Sequence, residues 1–199
     1  MNNNFKEYII EMTKIANKIP LQEARLIAQE IGLKLNLKII FPEELQPFSI
    51  FRPNMLFISG SIRRDKPMVG DIDLVCTQEL SLSDIQKIKG IKEIWSRGTK
   101  QIYFNYLSDN KTILRSVNIF ILTDPTSFGA FMLHTTGDNI FNIILRKKAK
   151  KKNLKLNQYG IYDIINNKKL AGETEQSIFN VLGMDYIIPK ERNINSIIS

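Results

Sequence analysis

At 199 residues the chain has room for one sizeable core or for two small lobes sharing an interface, and 28 Lys+Arg against 20 Asp+Glu leave a net charge of +8. Such an excess favours a polyanionic partner, either nucleic acid or an anionic membrane surface. No apolar run approaches the roughly 18 residues of a membrane span, the N-terminus lacks the regions of a signal peptide, and one cysteine, Cys76, admits neither an internal disulfide nor a zinc cluster; the expectation is a soluble, intracellular protein.

From Asn4, a candidate N-cap, Phe5, Tyr8, Ile9, Met12, Ile15, Ala16 and Ile19 recur at three- and four-residue steps, which predicts an amphipathic helix. Pro20 opens a second one, carried by Leu21, Ala24, Ile27, Ala28 and Ile31 up to Gly32. Phe41 to Pro53, with three prolines, reads as a loop. Two apolar runs then flank a polar loop, Met55 to Gly60 and Asp71 to Cys76. Ser81 or Ser83 caps a short helix that Gly90 ends. Glu93 to Arg97, Gln101 to Tyr106 and Ile113 to Leu122 read as strands, with Asp109-Asn110 as turn chemistry, giving a mixed sheet of about five strands. Cys76 and Trp95 read as packing residues.

Asp124-Pro125 predicts an N-cap and first helical position for a helix through about His134, which Gly137 breaks. Asp138 caps the next helix, with Ile140, Phe141, Ile144 and Leu145 as its buried face and Asn142 and Arg146 elsewhere. That helix runs into Arg146 to Lys155, where seven of ten residues are basic and none acidic. A solvated helix end complementing the dipole is one reading. A phosphate-backbone footprint of Lys147, Lys148, Lys150, Lys151, Lys152 and Lys155 is favoured by the global charge. Lys155 to Tyr162 reads as a strand, Asn166-Asn167 as a hairpin turn, Thr174 as the cap of a helix through Leu182, and Pro189 as the close of a short tail. The composition shifts near Asp124, which marks a sheet-rich lobe at 1–123 and a helix-led basic lobe at 124–199.

The chemistry concentrates at Asp71-Ile72-Asp73. In a strand, residues two apart share a face, so the two carboxylates project together beside the Gly60-Ser61 turn. Such a pair repels itself unless a cation intervenes, and oxygen-only ligation suits Mg²⁺. A Mg²⁺ site next to a phosphate cradle is the expectation.

Gly60-Ser61, nine residues, then Asp71-Ile72-Asp73 resembles the signature of the polymerase-beta-like nucleotidyltransferases. Phe128 to Gly137, followed by Phe141-Asn142 and Arg146, resembles the thumb entry of the family X DNA polymerases, and Leu154 to Gly160 and Ile187 to Arg192 resemble that family's C-terminal subdomain. The resemblance runs from about Ile19 to the end. It implies an α+β fold: a nucleotidyltransferase palm with mixed β-sheet and flanking helices, plus a small C-terminal α/β thumb-like subdomain, without an N-terminal lyase domain. It further implies template-directed addition of dNMP to a primer 3′-hydroxyl at gaps or nicks during DNA repair, including base excision repair, by a viral, monomeric enzyme of the host cytoplasm or virion. Two Mg²⁺ ions, replaceable by Mn²⁺, would clamp the attacking and leaving oxygens.

By the same resemblance, Asp71 and Asp73 match two metal-binding aspartates. Gly60, Ser61, Arg64 and Gly70 match the triphosphate cradle. His134, Thr135, Thr136 and Gly137 match the strip under the incoming sugar and base, and a reduced viral member of the family has histidine at the position of His134. Asn142 and Arg146 match thumb residues near the nascent base pair. The departure is the third carboxylate, whose place Asn118 takes. Asparagine offers Mg²⁺ only a neutral carbonyl oxygen and cannot accept the proton of a primer hydroxyl. Either an Asp-to-Asn change has been made to stall catalysis, or the natural protein is impaired or uses Asn118 as it stands; retention of the rest of the site favours the first. Ser116 also replaces an arginine of some relatives. The rivals are a nucleotidyltransferase acting without template or on RNA, and a catalytically silent DNA-binding protein.

Overall fold

The computed structural model describes residues 18–96, 99–108 and 114–198. The helix predicted from Asn4 and the turn at Asp109-Asn110 lie outside these residues, except for Ile19, which is not helical. It belongs to a two-residue strand, β1 (Ile19–Pro20), whose partner is β4 (Met68–Val69), with Ile19 opposite Val69. The predicted second helix is α1 (Leu21–Lys34), with Pro20 just ahead of its first turn rather than inside it, and Ala24, Ile27, Ala28 and Ile31 form its buried stripe.

Six strands stand where the hydrophobic pattern predicts five. Their order is β2 (Lys38–Ile40), β3 (Met55–Ile58), β5 (Ile72–Cys76), β8 (Arg115–Ile121), β7 (Gln101–Tyr106) and β6 (Ile91–Ser96). The uncounted strand is β2, three residues too short to show alternation. The sheet is mixed: β3 runs parallel to β2 and antiparallel to β5, β5 and β8 are parallel, and β8, β7 and β6 form an antiparallel meander.

Strict alternation along the strands gives the sheet two unlike faces. Leu56, Ile58, Ile72, Leu74, Val117, Ile119, Ile102 and Phe104 point to one side and pack with α1, Ile85 and Ile88 into the largest core. Ile85 belongs to α3 (Leu82–Gln86), capped by Ser81. On the other side, Phe57 and Val75 meet Phe128 and Met132 of α4 (Phe128–Thr136), which follows a 3-10 turn at Pro125–Ser127 capped by Asp124. Thus α4 roofs the β3–β5 half of that face. Between β3 and β5 the chain makes a single helical turn, α2 (Gly60–Arg63).

Beyond α4, α5 (Asn139–Lys151) begins at Asp138, whose side chain accepts from the backbone N–H of Ile140 and Phe141. Its buried residues are Phe141, Asn142, Leu145 and Ala149, whereas Ile140 is exposed. Asn142 thus faces inward and Ile140 outward, because the helix rotates its inner stripe toward Ala149. The predicted strand from Lys155 to Tyr162 is two strands, β9 (Leu154–Asn157) and β10 (Gly160–Asp163), joined by a tight turn in which Asn157 Oδ1 accepts from the Tyr159 N–H. β11 (Lys169–Ala171) completes a three-stranded antiparallel sheet beyond the predicted Asn166-Asn167 turn. Thr174 caps α6 (Glu175–Leu182) as expected. The end is no loose tail: a 3-10 turn at Pro189–Glu191 places Arg192 in the interior, and α7 (Ile194–Ile198) buries Ile197.

The junction between these parts is tight. The N–H groups of Gly129 and Ala130 donate to Glu173 and Gly172. A Cβ on Gly129 would fall 2.0 Å from the Thr174 backbone, so only glycine lets α4 touch the entry to α6. Among the described residues no helix is long and apolar enough to cross a membrane.

Candidate active site

Parallel pairing of β5 with β8 puts Asp73 directly beside Asn118. Both point to the face opposite the main core, and the Asn118 Nδ2 donates to Asp73 Oδ1 at 3.0 Å. Asp71 lies just ahead of β5 and is exposed, while Asp73 is half-buried. Burial first, then the neighbouring Asp71, pushes the Asp73 carboxyl up to about 7, against the opposing effects of the Asn118 hydrogen bond and the Arg64 charge. Two carboxylates share this corner with one guanidinium, so the corner is short of positive charge.

The turn after β3 shapes the opposite wall. Gly60 sits at φ 56°, and a Cβ there would come within 2.1 Å of Asp73 Oδ2, so a side chain would displace the carboxylate. Ser59 ties the turn to α4, its Oγ donating to Thr135 Oγ1 at 2.7 Å. The Ser61 hydroxyl and the Arg64 Nε are buried without a partner among the described residues, which is unusual for buried polar atoms in a native fold. Burial lowers the Arg64 pKa, against the pull of Asp138, Asp73 and Asp71. Its Nη1 donates to the Thr136 carbonyl.

A cleft of about 370 Å³ brings Gly60, Ser61, Arg64, Asp71 and Asp73 together with the strip His134 to Gly137. Of the other sequence candidates, Gly70 does not line it. Asn118 joins it through Asp73. Asn142 supports the strip from behind, its Nδ2 donating to the His134 carbonyl at 3.0 Å. Arg146 reaches His134, with Nη2 2.8 Å from Nδ1. Guanidinium nitrogen only donates, so Nδ1 is the acceptor and the imidazole proton sits on Nε2. Burial and then the Arg146 charge lower the His134 pKa, which keeps the ring neutral. Lys147, Lys150, Lys151, Lys152 and Lys155 are exposed and Lys148 half-exposed at the end of α5 and on β9, outside the cleft.

Three contributors carried no sequence signal as site residues. Phe120, Asp138 and Asn139 also line the cleft; Asp138 was legible only as a helix cap. Arg63, adjacent to Arg64, turns the other way. It gives Thr136 Oγ1 a 2.7 Å hydrogen bond and grips Glu175 with both nitrogens at 2.9 and 2.7 Å. Glu175 also accepts from Arg192 Nη1 at 2.9 Å and from the Tyr186 hydroxyl at 2.9 Å. Burial alone would raise this carboxyl, but Arg192 and Arg63 override it and hold it far below the usual range.

The residues 131–193 match the family model described as DNA polymerase beta thumb. Over 165 residues the chain is 29% identical to Repair DNA polymerase X of African swine fever virus (isolate Tick/Malawi/Lil 20-1/1983), covering 79% of this chain and 92% of that protein. Over most of its length the chain is thus similar to Repair DNA polymerase X proteins, and in its C-terminal part to the polymerase beta thumb. A shorter match, 35% identity over 74 residues, joins it to DNA nucleotidylexotransferase of Xenopus laevis, 15% of which is covered. In fold it resembles Leishmania infantum polymerase beta in a ternary P/T complex, with a TM-score of 0.71 and 22% identity over 97% of this chain and 83% of that one. The α+β architecture with its mixed sheet and flanking helices is the polymerase-beta-like fold.

Proposed function

We propose that the chain is a template-directed DNA polymerase of the repair type, adding dNMP to a primer 3′-hydroxyl at a gap or nick. One observation carries the reading: the Asp73–Asn118 pair, at the seam between two parallel strands, faces a turn whose buried Ser61 hydroxyl and Arg64 Nε lack partners among the described residues. The relatives' names support it. In this reading 1–123 form the palm and 124–199 the thumb.

The donor set fits a hard divalent cation, because Asp71 and Asp73 offer oxygen alone and the Asn118 amide and Arg64 offset their mutual repulsion only in part. Asp71 and Asp73, with Asn118 beside them, would hold Mg²⁺, or Mn²⁺ in its place, and two such ions would supply positive charge against the phosphates. Ser61 and Arg64 hold the triphosphate through a hydroxyl and a charged donor. The strip from His134 to Gly137 lies under sugar and base, steadied by Asn142 and Arg146. Phosphoryl transfer asks little covalent chemistry of the protein, so positioning and charge neutralisation carry the rate. The lysines of α5 and β9 bind DNA through phosphates, which makes affinity salt-sensitive and nearly sequence-independent.

Asn118 favours a form that binds better than it turns over. Its amide now spends a donor on Asp73, where a carboxylate would add a metal-facing charge and accept a proton. Primer extension on a one-nucleotide gap compares this chain with Asn118→Asp. The expected result is weak extension by the first and extension on the order of a hundredfold faster by the second. Equal rates would remove Asn118 from the third position, and no extension by either form would overturn the polymerase reading.

A further inference from the structure

Register runs on past the cleft. Asp73 pairs with Asn118, Asn118 with Tyr103, and Tyr103 with Trp95, so these four side chains form one row across β5, β8, β7 and β6 on a single face. The row begins under α4 and ends in the open. On β7 and β8 the inward residues are buried, while Gln101, Tyr103, Asn105, Ser116, Asn118 and Phe120 are half-exposed. Trp95 is 48% exposed. It is therefore no core residue, contrary to the packing role its composition suggests. Its ring lies 5.2 Å from that of Tyr103, tilted by 37°. The Tyr103 hydroxyl donates to Ser116 Oγ at 3.0 Å, which fixes the ring in the row.

We propose that Trp95 and Tyr103 form a platform for the primer strand upstream of its 3′ end. The inference rests on the polymerase reading, which sets the primer terminus over Asp73 and Asn118. From there the strand cannot continue over β3, because Phe128 and Met132 of α4 pack on that half. It must leave across β7 and β6. Strands lie about 4.8 Å apart, so Trp95 stands about 10 Å from Asn118. With about 3.4 Å of rise per nucleotide, it meets the primer near the third nucleotide from the end. An exposed indole there packs its apolar face against deoxyribose. The flanking Gln101, Asn105 and Ser116 side chains are uncharged, and Glu93, the acid beside them, is engaged by the Asn105 amide at 3.0 Å. Of these side chains only Glu93 carries charge, so it is the indole face and not a cation that makes the contact here, while the lysines of α5 and β9 supply attraction elsewhere.

Trp95 is the only tryptophan, so its own fluorescence reports the contact. Titration of this chain with a primed template should change the emission, and titration with the unprimed template strand should not. Trp95→Ala should weaken binding of the primed template roughly tenfold while circular dichroism stays unchanged, since the ring is half-exposed on an edge strand. Trp95→Phe should recover most of the loss. A primer with a propyl spacer in place of its third nucleotide should bind this chain less tightly yet bind Trp95→Ala no worse than intact primer. Unchanged affinity in Trp95→Ala, or an equal spacer penalty in both, would overturn the platform. The same substitution placed in Asn118→Asp separates the two readings: extension with unchanged primer affinity rejects the platform alone, whereas absence of both extension and Mg²⁺-dependent dNTP binding rejects the polymerase reading beneath it.

Discussion

The buried cluster around Glu175 and the open cleft around Asp73 lie on two sides of one helical turn, and each sets carboxylates against arginines in opposite proportion. In the cluster two arginines, Arg63 and Arg192, share one glutamate. In the cleft three aspartates, Asp138, Asp73 and Asp71, face one arginine, Arg64. The cluster's surplus charge is spread over aromatic faces, since the Arg192 guanidinium lies 5.6 to 5.9 Å from the ring centres of Tyr186, Phe141 and Phe179. The cleft's deficit has no such relief. A completed ion group holds the structure together, and an incomplete one is built for a ligand.

The largest expected effect comes from breaking the completed group. Glu175→Ala leaves two buried guanidinium groups uncompensated and should cost about 3–5 kcal/mol, read as a lower midpoint in urea unfolding. Because the folded carboxyl lies below its unfolded value of about 4.3, its stabilisation is complete above that pH and is lost as pH falls toward the folded value. Glu175→Gln should accordingly flatten the acid limb of the stability curve.

Next comes Asn118→Asp, which deepens the deficit. Without divalent cation the new carboxylate faces Asp73 and should lower the thermal midpoint; added Mg²⁺ should raise it more in this variant than in the parent. Equal responses to Mg²⁺ would mean that the position does not reach the cation. A smaller effect is expected from Arg64→Ala. It should weaken dNTP binding about tenfold, the worth of a charge-assisted hydrogen bond, and leave urea unfolding nearly unchanged. Arg63→Ala should do the reverse, which is the sharpest contrast between adjacent residues. The smallest effect belongs to the lysines: removing Lys150 or Lys151 should reduce the slope of log affinity for duplex against log salt by about one.

How far the sequence foretold this contrast depends on the range of the forces. The Asp71–Asp73 spacing is local, so the shared face was legible, and Asn118 was placed by resemblance and then by register. The division of labour between Arg63 and Arg64 was not, because it depends on which way a four-residue turn presents each side chain to α4 and α6. Arg192 looked like part of a tail for the same reason: its partner Glu175 stands 17 residues away and its burial is wholly tertiary. Gly160, at φ 152°, begins a strand rather than continuing one, and Asn157, whose side chain closes the Gln158-Tyr159 turn, marked a bend that the run of strand-like residues on either side concealed. Trp95 was misread because an edge strand of a one-sided sheet places large apolar residues in solvent as readily as in the core.

Thr136 is clasped from both directions, its hydroxyl by Arg63 and its carbonyl by Arg64. An anion that draws the Arg64 guanidinium into the cleft takes it from that carbonyl, on the same residue the buried cluster holds. Occupancy of the cleft and the set of α4 would thereby be coupled, and such a coupling is reciprocal. Loosening Thr136 should change how tightly a triphosphate is gripped, and a gripped triphosphate should change how freely the C-terminal end of α4 moves.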